Sequence, residues 1–133
     1  MKKRRADVLQ FLRAAAICSI SVSAAYAQEV SLKSGESVDL GAVYWVNNCR
    51  SLLSKFSGVD VLEGPPGIVL SIREEDVFAR RQNCPDKVRG GVVVVTAKDV
   101  PSQSSGKLSY RVRYDTTDGQ RQSTHSVRIS LFP

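Results

Sequence analysis

The chain has 133 residues, with 19 Lys and Arg against 13 Asp and Glu and a formal charge of +6. The first 27 residues hold Lys2, Lys3, Arg4, Arg5 and Arg13 against Asp7 alone, so the remainder carries 14 bases and 12 acids, near +2. That balance gives no electrostatic reason for nucleic-acid or anionic-membrane binding, and a remainder of roughly 105 residues has room for one domain and not two.

Residues 1–27 have the parts of a cleaved secretory signal peptide: the cationic start Lys2 to Arg5, an apolar stretch from Ala14 to Ala25, and small residues up to Ala27. At about 12 residues the stretch is too short for a bilayer span, which takes about 20. Cys18 follows Ile17 where lipoprotein processing wants a small residue, and Asp7 falls where a twin-arginine signal built on Arg4-Arg5 is uncharged. The expected product is a periplasmic or secreted domain, residues 28–133, with no integral membrane span.

After an opening strand near Val30 to Leu32, the residues Val38, Leu40, Ala42, Tyr44 and Val46 share one parity, the period-two mark of a half-buried strand. Arg50 to Ser57 sets Leu52, Leu53 and Phe56 at helical spacing and reads as a loop with one helical turn. Short strands follow at Val59 to Leu62, Ile68 to Arg73 and Val92 to Ala97, punctuated by Gly64-Pro65-Pro66-Gly67, Gly90-Gly91 and the polar loop Pro101 to Gly106. Glu74 to Arg81 reads as an extended hairpin arm. Leu108, Tyr110, Val112 and Tyr114 then alternate with Ser109, Arg111, Arg113 and Asp115. Through the turn Thr116-Thr117-Asp118-Gly119 that strand leads to Val127, Ile129 and Leu131, making a C-terminal antiparallel hairpin. Short strands at this spacing without a long helical pattern predict an all-β fold, an antiparallel sandwich.

Once Cys18 leaves with the leader, Cys49 and Cys84 remain as an even pair in an oxidising compartment, which predicts one intramolecular disulfide. Closing that loop stabilises by about 3 to 4 kcal/mol. With neither C-x-x-C spacing nor a neighbouring His, the pair reads as a staple and not as a redox or metal site.

The inventory argues against catalysis. His125 is the single histidine, and its parity with Val127, Ile129 and Leu131 puts it at the end of a core-facing stripe. Ser123 or Ser126 with Asp115 or Asp118 could complete a catalytic trio on paper, but no nucleophile-elbow sequence supports one. Glu74, Glu75 and Asp76 are adjacent acids that a strand would point to opposite faces, with Arg80 and Arg81 near to neutralise them. No metal, cofactor or catalytic residue is expected. Two places stand out as surfaces. Arg111 and Arg113 with Arg128 on the partner strand would form a cationic ligand patch if aligned across the hairpin, and Tyr44 and Trp45 lie beside Cys49.

The order of elements resembles the bacterial immunoglobulin-like and cadherin-like domains of secreted proteins, from about Ser37 to Leu131. The marks are Gly64-Pro65-Pro66-Gly67 before Ile68 to Ile72, then Gly91 to Val95, then Gly106 with Leu108-Ser109-Tyr110-Arg111-Val112, then Gly119 before an alternating last strand. It is most similar to small single-domain exported proteins of alphaproteobacteria with one cysteine before the Pro-x-Gly turn and another before the glycine-led strand, as Cys49 and Cys84 are placed. The resemblance implies an immunoglobulin-like β-sandwich of about seven strands and no particular activity. The acidic calcium motifs of cadherins are missing. The expectation is a non-catalytic binding or structural module whose partner is a protein or another cell-envelope component. The alternative is a small inhibitor of a periplasmic or host hydrolase, presenting the loop of Glu74, Glu75, Asp76, Arg80 and Arg81.

Overall fold

Residues 29–133 are described by a computed structural model; the leader and Cys18 lie outside the described residues. Apolar alternation becomes nine strands there: β1 (Glu29–Lys33), β2 (Ser37–Val43), β3 (Val46–Asn47), β4 (Arg50–Ser51), β5 (Leu53–Glu63), β6 (Ile68–Phe78), β7 (Lys87–Ala97), β8 (Ser104–Thr116) and β9 (Gly119–Phe132). A single turn of 3-10 helix, Arg80–Gln82, joins β6 to β7. One sheet runs β1-β9-β8-β5, a second β2-β7-β6, and β3 and β4 form a separate small hairpin.

The two large sheets share one core. Val30 and Leu32 of β1, Leu40 and Val43 of β2, Val93 and Val95 of β7, and the inward stripes of β8 and β9 are buried together. Leu108, Val112 and Leu131 have no exposed surface, and truncating such a leucine to alanine costs about 2–5 kcal/mol. The C-terminal hairpin has the expected parity, with Leu108 opposite Val127 and Tyr110 opposite His125. Gly119, at φ 112°, closes its turn, and the Thr116 hydroxyl donates to the Gly119 carbonyl while accepting from the Asp118 N–H.

Five sequence expectations are corrected. The sheet is not wholly antiparallel, because β1 runs parallel to β9, from Glu29 opposite Arg128 to Lys33 opposite Phe132. The chain leaves β1 through Ser34-Gly35-Glu36 into the other sheet, so the first strand is free to lie beside the last in the same direction. Arg50 to Ser57 holds no helical turn; it forms β4 and the start of β5. Register shifts at Leu53/Lys55 and Phe56/Gly58 insert residues into β5, so Leu53, Phe56 and Val59 face the core at intervals of three, which mimics a helix.

Gly90 and Gly91 do not interrupt the sheet but lie inside β7, opposite Glu75 and Glu74. A methyl at Gly90 would come within 2.7 Å of the Val43 carbonyl oxygen, and one at Gly91 within 2.6 Å of the Phe56 ring. These glycines serve close packing. Finally, β8 begins at Ser104, inside the run read as loop, and β2 stops at Val43, before Tyr44 and Trp45.

β3 and β4 are joined by the two residues Asn48 and Cys49, both at positive φ (52° and 60°), the backbone of a tight hairpin turn matching strand twist. Cys49 at its tip is bonded to Cys84 in the β6–β7 connection, with Cα atoms 5.5 Å apart. Beneath the bridge, Ala79, Cys84 and Val88 form a second buried cluster with Tyr44 and Val46 against it. The Ser51 hydroxyl donates to the Arg89 carbonyl, tying the hairpin to β7. The staple therefore fixes the segment that carries Tyr44 and Trp45.

Candidate functional site

The anticipated cationic patch is not assembled. Arg111, Arg113 and Arg128 share the outer face of the first sheet, but Arg128 stands opposite Lys107 while Arg111 and Arg113 stand opposite Thr124 and Gln122. Four residues along a strand, about 13 Å, part Arg128 from Arg111. The two remaining guanidiniums are turned toward β5, where Asp60 accepts from Arg113 Nε at 2.8 Å and lies 3.6 Å from Arg111. Those hydrogen bonds and charges hold the Asp60 carboxyl below its ordinary range. The acid that pairs with both guanidiniums, Asp60, comes from β5, more than fifty residues away in sequence.

The presenting loop is also shorter than expected. Glu74, Glu75 and Asp76 are strand residues of β6, paired with Gly91, Gly90 and Arg89. Glu74 bonds Arg89 across the ladder and Glu75 bonds Arg73, which also grips Asp39. Only Arg80 and Arg81 lie in the connection, Arg80 over the Phe78 ring and Arg81 over Tyr44.

His125 occupies the end of the core stripe, half-buried and stacked on Tyr110. Its Nε2 is 3.0 Å from the Ser123 hydroxyl, two residues away on the same strand. Asp115 pairs with Lys55 and Asp118 sits in the turn, so the structure brings Ser123 to His125 and leaves both acids elsewhere. Burial, and then the charge of Arg81, lower the His125 pKa. No group of His, Cys, Asp and Glu suited to a metal ion occurs among the described residues.

What does come together is a groove at the open edge between the sheets. Tyr44, Trp45, Arg81, Tyr114, Ser123 and His125 line a cleft of about 310 Å³. It shares Tyr114 and Gln122 with a hollow of about 510 Å³ beside Arg121, and His125 with one of about 210 Å³ between β2 and β9. Arg121 lies over the Trp45 ring, its guanidinium carbon 4.3 Å from the centroid. Arg81 lies 5.9 Å from the Tyr44 centroid and its backbone N–H donates to the Tyr44 hydroxyl. Each guanidinium thus lies within cation–π range of an aromatic ring, and a guanidinium so placed can still offer N–H groups to an anion. No carboxylate among the described residues lines any of the three hollows.

Sequence reasoning found Tyr44 and Trp45 but missed Arg81 and Arg121 as their partners. Arg121 is separated from Trp45 by most of the chain and no local pattern links them. Comparison with protein-family models, with curated proteins and with solved structures finds no match to this chain. Among the described residues no helix is long and apolar enough to cross a membrane.

Proposed function

We propose that this chain is an exported, non-catalytic binding module built on an immunoglobulin-like β-sandwich, and that the groove between Trp45, Tyr44 and β9 takes an anionic group of a protein or other cell-envelope partner. The fold part of the reading is supported by two sheets of four and three strands around one core. Export is supported by the leader pattern and by a disulfide that needs an oxidising compartment. The observation that carries the site is the pair of guanidiniums over aromatic rings, Arg121 over Trp45 and Arg81 over Tyr44, lining two adjoining hollows that no carboxylate among the described residues lines.

Trp45 is the sole tryptophan of the chain and reports on the groove directly. Titrating the exported protein with tetraglutamate should shift Trp45 fluorescence, whereas tetraglutamine should not, and Arg121→Gln or Arg81→Gln should weaken the response about tenfold or more. Equal responses to both peptides, or none, would overturn the reading. Intact mass of the exported form should correspond to a start at Gln28.

A further inference from the structure

We infer that the groove binds an extended, acid-bearing peptide segment of a partner protein by strand addition, the segment pairing with the edge of β9 from Gln120 to Val127, which is open among the described residues. This rests on the anionic-groove reading and names the form of its ligand.

The register fixes which peptide groups are on offer. β1 covers β9 only from Arg128 to Phe132, so among the described residues β9 is paired on one side alone before Arg128. The Ser34 N–H donates to the Phe132 carbonyl, which shows that even-numbered residues of β9 aim their peptide groups away from β8. The β8–β9 register runs without a shift from Gly119 to Leu131. Gln120, Gln122, Thr124 and Ser126 therefore direct N–H and C=O groups outward, four rungs along about 20 Å of strand.

Among the described residues, the other edges of the two large sheets carry features that hinder pairing over all or part of their length. β5 has three register shifts, β2 has one at Asp39/Gly41, β6 carries four consecutive charges from Arg73 to Asp76, and β1 is five residues long with a charge at each end. Bulges, charges and shortness are how sheet edges repel strands. The β9 edge has no bulge, no proline and one charge, Arg121, whose guanidinium is turned onto Trp45. A strand laid there would place one row of side chains over the groove, where Arg81 and Arg121 select carboxylates. Backbone pairing supplies affinity and the alternating pockets supply choice in this mode of recognition.

The probe is an eight-residue peptide alternating Val and Glu, offered to the exported protein and read by Trp45 fluorescence and amide exchange. Binding should slow exchange at Gln120, Gln122, Thr124 and Ser126, while the odd-numbered amides, already bonded to β8, change little. A version N-methylated at alternate residues, so that it cannot form the ladder, should bind at least tenfold more weakly. Thr124→Pro should do the same with its melting temperature little changed, since that N–H has no partner in β8 and edge positions tolerate proline. If the N-methylated peptide binds equally well, strand addition is wrong while the anionic groove stands. If neither peptide nor tetraglutamate shifts Trp45, both readings fall. Protection of the even-numbered amides that grows with protein concentration alone would mean a second copy takes the edge, and would also overturn the proposal.

Discussion

The imidazole of His125 lies over the ring of Tyr110, its partner across the β8–β9 ladder, with centroids 5.3 Å apart and ring planes at 30°. The stack makes His125 the last course of the core stripe that continues into Val127, Ile129 and Leu131. Aromatic pairs of this kind contribute about 0.5–1.5 kcal/mol beyond area burial. His125→Gln, which keeps a group able to bond Ser123, should lower stability by about that amount in urea denaturation. A loss above about 3 kcal/mol would show that the ring does more than cap the core.

The same residue sets a pH dependence. Burial first, then Arg81, lower its pKa from 6.5, so the native imidazole is neutral where the unfolded one starts to take a proton. The unfolded chain binds more protons in that interval, so stability is full above about pH 6.5 and falls as pH drops through the lower folded value. Asp60 and Asp39, held low by hydrogen bonds to Arg113 and Arg73, add a second loss further into acid, below their ordinary 3.8. Urea midpoints measured across pH should show both limbs in the wild type and only the acid limb in His125→Gln.

Gly90 and Gly106 offer a paired test of the packing account. A methyl at Gly90 meets the Val43 carbonyl oxygen and a Val77 methyl, both at 2.7 Å, and backbone cannot yield as a side-chain tip can. Gly90→Ala should cost about 1–3 kcal/mol by overpacking. A methyl at Gly106 meets nothing within 4 Å, and Gly106→Ala should be neutral or stabilise by up to about 1 kcal/mol through the unfolded state. Thermal melts of the two variants side by side decide it.

Replacing Cys49 and Cys84 with Ser should lower stability by about 2–5 kcal/mol and keep the sheet signature in circular dichroism, because the main core is complete without the bridge. The β3–β4 hairpin is a separate two-stranded piece, and the bridge fastens its turn. Its release should therefore also loosen Trp45, seen as faster quenching by acrylamide. Unchanged quenching would mean that Ser51 and the small cluster under Cys84 hold the segment unaided.

The strands were legible in the sequence wherever register is regular. β8 and the end of β9 carry strict alternation, and their pairing follows from it. Reading failed where the register shifts: bulges in β5 spread Leu53, Phe56 and Val59 to a three-residue interval, and glycines inside β7 looked like breaks because their reason lies across the sandwich, at Val43 and Phe56. The groove was half legible. Tyr44 and Trp45 drew notice as aromatics beside a cysteine, but Arg81 and Arg121 reach them only through tertiary folding. For Arg111 and Arg113 the sequence showed the face and not Asp60, whose place opposite Arg111 depends on the shifted β5 register.

Because β1 lies against the far end of β9, the first strand has to wait for the last. A chain that emerges amino end first, from a ribosome or through a translocation pore, presents Val30 and Leu32 long before Ile129 and Leu131 arrive to cover them. Closing the larger sheet is then a late, whole-chain step, slow in the way non-local pairing is slow. Until it happens the nascent chain shows an uncovered apolar strand, a handle for holding chaperones and a liability without them.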